Sequence, residues 1–321
     1  MATHAGISHL AITDVPIAVF DFETTGLTPG VDRVVEVSVV RIDPGKKPRL
    51  VLDTLVNPMR RMGASEIHGI TDADVVNAPR FSDLAGDLME AIHGCVLAAY
   101  NVYFDIKFLN FELQNTGVFH DPPHFCLMYL RPMLGLGDRC KLEDACRVQG
   151  IELTGCHVAA HDALASGELF RCYQEIALNK GIRTFGDLAK LKKYKFNDSF
   201  SNDPFPHPTS FNLKPNRNLC SRSAGVQPVQ TTPLQHPIAA YFDTLKTVVA
   251  DLDISDQELA YVAQERQRLG LTLGQVRSIH AKAFASVISR FADDWYVDNL
   301  EVLKLQRLHQ CLSKLGWAPG E

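Results

Sequence analysis

The feature that most restricts the fold is a change of hydrophobic period within the first hundred residues. Arg33 to Ile42 alternates with period two, setting Val35, Val37 and Val39 against Glu36, Ser38 and Val40, which predicts a strand with one face buried. Phe81 to Ile92 instead places Phe81, Leu84, Leu88 and Ile92 three or four residues apart, the stripe of a helix packed on one side. Ile17 to Asp21 and Leu50 to Val56 read as two further strands, the latter following the turn-like Asp43-Pro44-Gly45-Lys46-Lys47. Three strands joined by short connections predict an antiparallel meander. Val96 to Ala99 reads as a short buried strand, and Phe104 to Leu113 and Leu164 to Ala177 as helices. This order predicts an α/β domain with a mixed sheet over residues 16–180, behind an N-terminal extension at 1–15.

Beyond Tyr194 the composition shifts. Residues 195–237 are rich in Asn, Ser and Pro without periodicity, which predicts a flexible linker. Helical spacing returns over 238–318 as a smaller all-helical domain. There Ser255 and Glu258 have capping-box spacing, and Gly270 stands where a C′ glycine should. Asp251 to Val262 lacks the glycine and the final glutamate of a calcium loop, which argues against an EF-hand.

The gross numbers exclude several classes. No apolar run approaches the ~20 residues of a membrane span, and the first residues lack a signal peptide's basic start and apolar core, so a cytoplasmic protein is expected. Eight scattered cysteines without a Cys-x-x-Cys pair fit reduced thiols better than disulfides or a zinc site. A net charge of −5 excludes a chain-wide basic field but leaves room for a local basic cleft.

Chemistry is suggested by carboxylates at the mouths of elements. Asp21 and Glu23 are two apart at a strand end, so both side chains leave the same face. Two carboxylates forced together are costly unless a cation neutralises them, which points to a divalent metal. Asp105 and Asp162 each stand at the start of a helix, where a structural cap is the bland alternative. All of them in one α/β domain are hard to explain as caps.

Asp21-Phe22-Glu23-Thr24-Thr25-Gly26, Asn101-x-x-Phe104-Asp105 and His157-x-Ala159-x-x-Asp162 together resemble the three motifs of the DEDDh, DnaQ-like exonucleases. That family includes the proofreading epsilon subunit of bacterial DNA polymerase III. His68-Gly69-Ile70 followed by Ala78-Pro79-x-Phe81 matches a stretch usual between the first two motifs. The resemblance implies a ribonuclease H-like fold, a five-stranded mixed sheet with one antiparallel strand, its fifth strand expected around Phe125 to Met128. That segment carries Cys126-Leu127 where many relatives have Asp-Thr.

The resemblance further implies 3′→5′ hydrolysis of nucleic acid by two Mg²⁺ or Mn²⁺ ions held by Asp21, Glu23, Asp105 and Asp162, with His157 as general base. His157 is about 140° out of phase with Asp162 on an ideal helix, so a position on the preceding loop is expected, and His161 is the rival base. Thr24, Thr25, His68, Asn101 and Phe104 are expected around the substrate, Asn101 as a support to the ligands, and His68 and Phe104 against bases or equally in the core. The expected substrate is the 3′ end of single-stranded DNA, with a DNA polymerase or sliding clamp as partner; Gln230-Thr231-Thr232-Pro233-Leu234 resembles a clamp-binding peptide. An exoribonuclease and a non-catalytic end-binding adaptor are the alternatives. The helical part resembles, more weakly, TerB-like modules.

Overall fold

The computed structural model describes residues 6–153, 158–216, 219–221, 237–248, 256–292 and 299–317. They fall into two compact units, one within 1–25 and 34–229, the other within 26–33 and 230–321. None of the described helices is long and apolar enough to cross a membrane.

The first unit runs β1 (Ile17–Thr24), β2 (Val34–Ile42), β3 (Arg49–Leu55), the single turns α1 (Ser65–His68) and α2 (Asp72–Val75), α3 (Phe81–Ile92), β4 (Val96–Ala99), α4 (Val102–Gln114) and β5 (His124–Cys126). It continues through α5 (Leu127–Met133), α6 (Leu142–Val148), α7 (Ala159–Asn179) and α8 (Phe185–Leu191). The strand order is β3-β2-β1-β4-β5, with β2 antiparallel to both neighbours and β4 and β5 parallel to β1. This is the five-stranded mixed sheet of the ribonuclease H-like exonuclease fold, with one strand opposed to the other four. The fifth strand stops at Cys126 and the chain turns directly into α5. Cys126 is a core residue: its thiol donates to Tyr100 O at 3.1 Å and burial pushes its pKa up to about 12.

Both faces of the sheet are covered, so β2 is buried on both sides rather than on one. α7 lies on the face of Val40, where a Cβ on Gly167 would meet Pro48 Cβ at 3.1 Å and Val40 Cγ1 at 3.2 Å. That glycine lets the helix come close to the sheet. By alternation Arg41 points to the other face, where its Nη1 donates to the carbonyls of Ala91 and His93 at the end of α3.

The structure corrects two boundaries. The described part of 195–237, through Ser221, is not a linker. Phe196, Phe200 and Phe205 are buried, Ile7 N donates to Phe200 O at 2.8 Å, and Ser199 Oγ bonds both backbone groups of His124. Farther on, Leu55 N donates to Cys220 O at 2.9 Å, covering the free edge of β3. Composition misled because three phenylalanines anchor a segment that is otherwise polar. Residues 6–15 likewise pack on the domain: Ile7 and Ile12 are buried, and Ile12 N donates to Arg183 O.

The second unit contains α9 (Pro237–Val248), α10 (Asp256–Arg268), α11 (Leu273–Ala292) and α12 (Asn299–Lys314) around Tyr241, Leu245, Val262, Ile279, Leu312 and Trp317. Gly270 has φ 64° and Leu271 N reaches back to Arg266 O, so the C′ glycine is realised. Ser255 and the peptide at 230–234 lie outside the described residues. His280 is fully buried, with Nε2 3.1 Å from Tyr241 Oη, and burial pushes its pKa down to about 4 from 6.5. The folded state therefore favours the neutral ring, and its contribution is complete above the unfolded value and lost as pH falls. Thermal melts of the full chain between pH 7 and 4 should show this unit losing about 3 kcal/mol across that window. His280→Gln, which keeps a partner for Tyr241 but cannot titrate there, should flatten the slope; an unchanged slope would assign it to other groups.

Candidate active site

The site is built at the carboxyl ends of β1 and β4. In β1, Asp21 and Glu23 share a face and stand opposite Ser38 and Glu36 of β2, with a bulge between Glu23 and Thr24. Asp162 comes from the first turn of α7. One carboxylate oxygen from each of Asp21, Glu23 and Asp162 lies within 4.8 Å of the other two. An all-oxygen set of this size and charge suits a hard divalent cation, whereas soft thiolate-seeking metals find no sulfur in it.

Asp105 is not a member of that trio. It is buried on the first turn of α4, and its Oδ1 accepts the backbone N–H of Phe22 at 3.2 Å. The reason lies in the pairing: β4 follows β1 only from Ile17 to Val19, so Phe22 N–H has lost its strand neighbour on that side. Asp105 takes up this donor between the two strand carboxylates, locking α4 to the stretch of β1 that carries them.

Glu36 was not singled out in the sequence, yet it is fully buried directly opposite Glu23. Its Oε2 accepts from Ala159 N at 3.2 Å, at the first residue of α7. A carboxylate at a helix N-terminus satisfies an orphan N–H and complements the helix dipole. It also explains why α7 starts at Ala159, five residues before the expected start at Leu164. The helix that carries Asp162 is thus pinned to the strand that faces Glu23. The only signal for it in the sequence would have been a glutamate at a position cross-strand from Glu23, and that register depends on the intervening connection.

The remaining expected residues divide. Thr24 and Thr25 are buried, and a Cβ on Gly63 would lie 2.3 Å from Thr25 O, so a backbone without a side chain must pass there. His68 is buried in the same loop, its Nε2 3.2 Å from Gly63 O and its Nδ1 accepting from Ile70 N. Both ring nitrogens lie against the backbone of the stretch from Gly63 to Ile70, which packs on Thr25. Phe104 is half-buried with its ring 5.0 Å from Phe108, a packing contact within α4. Asn101 is the N-cap residue of α4; its carbonyl accepts from Phe104 N, and its Oδ1 is buried without a hydrogen-bond partner among the described residues. His157 lies outside the described residues. His161 is half-buried on the first turn of α7, its Nδ1 likewise without a partner among the described residues.

The family model described as "Exonuclease" (RNase T) matches residues 18–170. The chain is 31% identical over 198 residues to a DNA polymerase III subunit epsilon-like protein of Rhodobacter capsulatus, covering 59% of this chain and 28% of that protein. It is 34% identical over 163 residues to DNA polymerase III subunit epsilon of Treponema pallidum, covering 49% of this chain and 75% of that protein. With the PolC-type DNA polymerase III of Bacillus subtilis the identity is 30% over 189 residues, covering 56% of this chain and 13% of that protein. The chain thus spans from an eighth to three quarters of the length of these relatives, and the residues matched by the family model, 18–170, include the carboxylates. With the fold and the acidic cluster described above, these matches show that the chain belongs to the DEDDh, DnaQ-like exonuclease family.

Proposed function

We propose that this chain is a metal-dependent 3′→5′ exonuclease that removes nucleotides from single-stranded DNA ends in proofreading or repair. The observation that carries the reading is the meeting of Asp21, Glu23 and Asp162 within 4.8 Å at the end of β1. Three carboxylates so close repel one another unless a cation sits among them. Mg²⁺ or Mn²⁺ held there, expected as a pair, would supply an activated water and stabilise the charge that develops on the phosphate and leaving oxygens. Asp21, Glu23 and Asp162 would hold the metal, with Asp105 close by on α4. His157 accepts the proton of the attacking water. Glu23 or a neighbouring backbone N–H receives the 3′-hydroxyl beside Thr24 and Thr25, and Asn101 supports the ligands. The epsilon relatives make a DNA polymerase the natural partner, with a sliding clamp reached through residues 230–234.

Turnover of 5′-labelled single-stranded DNA and RNA of one sequence, with Mg²⁺ or Mn²⁺, tests substrate and chemistry together. Faster loss of DNA is expected; equal or faster loss of RNA would move the assignment to an exoribonuclease, and binding without turnover of either would leave an end-binding adaptor. Asp21→Ala or Asp162→Ala should lower the rate by about 10³-fold or more while the melting temperature stays near that of the parent, because each removes metal ligation and not core packing. His157→Ala should cost about 10²-fold or more in rate with little change in metal affinity. A larger loss from His161→Ala would hand the base to that residue.

Glu36→Ala should weaken Mn²⁺ binding in calorimetric titration and slow turnover, each by about 10–100-fold, since the start of α7 loses its acceptor. Glu36→Gln retains an acceptor for Ala159 N–H and should restore most of the affinity. Equal losses in the two variants would show that the charge matters and the hydrogen bond does not.

A further inference from the structure

Resting on the nucleic-acid reading above, we infer that Lys192, Lys193 and Lys195 form a phosphate-tracking rim that guides the single strand toward the carboxylates. The lysines belong to Lys190-Leu191-Lys192-Lys193-Tyr194-Lys195, the joint between α8 and the segment expected to be a linker. Lys192, Lys193 and Lys195 are exposed, whereas Lys190 is neutralised by Asp187 at 3.2 Å. Asp198 is the one acidic residue from 192 to 198, so this short stretch carries a local excess of two positive charges in a chain of net charge −5.

Position, more than charge, carries the inference. Tyr194 packs edge-on to Tyr129 with ring centroids 4.6 Å apart, and Phe196 N donates to Tyr103 Oη at 3.3 Å. Tyr129 is in the first turn of α5, which begins where β5 ends, and Tyr103 is in the first turn of α4, which begins just after β4. β4 and β5 run parallel to β1, so these helix starts share the sheet edge where Asp21 and Glu23 stand. Tyr103 is two residues from Asp105, whose carboxylate holds Phe22 N–H between those two residues.

The aromatic layer is a rigid floor. Tyr129 and Phe196 are buried, Tyr103 lies edge-on to Tyr129 at 5.5 Å, and the Arg139 guanidinium sits 4.7 Å over the Tyr129 ring while bonding its hydroxyl. Lys192 lies 5.1 Å over the Tyr194 ring. A lysine segment whose backbone is fixed by these aromatic contacts needs less ordering on binding, which lowers the entropic cost of holding a strand. Exposed ammonium groups on an anchored segment at the sheet edge that carries the carboxylates suit a single-stranded polyanion, and they contribute affinity without reading sequence.

The test is binding of a fluorescent twenty-nucleotide DNA strand by anisotropy, without divalent cation, across a range of salt. Lys193→Glu/Lys195→Glu is compared with Lys46→Glu/Lys47→Glu, an equal charge change on the exposed β2–β3 turn at the opposite end of the sheet. The rim variant should bind about 10-fold more weakly or worse, with a salt slope shallower by about 1.4, and the turn variant should bind like the parent. Equal weakening in both variants, or no change in the rim variant, overturns the inference. Hydrolysis of the same strand by the parent with Mg²⁺ is scored separately, so loss of the exonuclease reading is told apart from loss of the rim.

Discussion

Four carboxylates held on one side of the sheet, Asp21, Glu23, Glu36 and Asp162, are the constraint on which the rest of the architecture turns. Carboxylates brought together out of water repel each other and lose hydration. The protein meets that cost with backbone donors, and the proposed exonuclease chemistry would add a cation. Glu36 takes the first N–H of α7 and Asp105 takes the N–H of Phe22, so the acidic groups around the site also fasten helices to β1 and β2. A site whose supports are themselves buried hydrogen bonds is preorganised, and preorganisation allows electrostatic catalysis without reorganisation during the reaction.

The same economy extends around the site. Gly63 passes against the carbonyl of Thr25, and His68 holds that loop through both ring nitrogens. On the other flank the aromatic layer of Tyr103, Tyr129 and Tyr194 ties the segment after α8 to the starts of α4 and α5. The described part of the tail beyond residue 194 is therefore a component of the exonuclease unit, although its Asn, Ser and Pro content resembles that of a linker.

Much of this was legible in the sequence because its information is local. A period-two run located β2, a helical stripe α3 and a short apolar run β4, and the spacing of Asp21 and Glu23 placed both on one face of β1. What escaped depends on contacts between distant segments. The role of Glu36 requires knowing that it faces Glu23 across a register and meets Ala159 more than a hundred residues later. Phe196 and Phe200 are four apart on a short 3-10 helix over Lys195–Ser201, too brief a pattern to mark an element in a polar segment, so their anchoring, with that of Phe205, is visible only where they are buried. His68, expected either against a base or in the core, is buried with both ring nitrogens against nearby backbone, because an aromatic in a motif does not reveal where its ring points.

The central claim is that these carboxylates cut a strand from its 3′ end, and the order in which label is lost tests it most directly. With Mg²⁺, a strand labelled at its 3′ terminus should release labelled mononucleotide at the earliest times, and the same strand labelled at its 5′ terminus should shorten through a ladder of one-nucleotide steps. Internal fragments at early times, or release from the 5′ terminus first, would contradict the account.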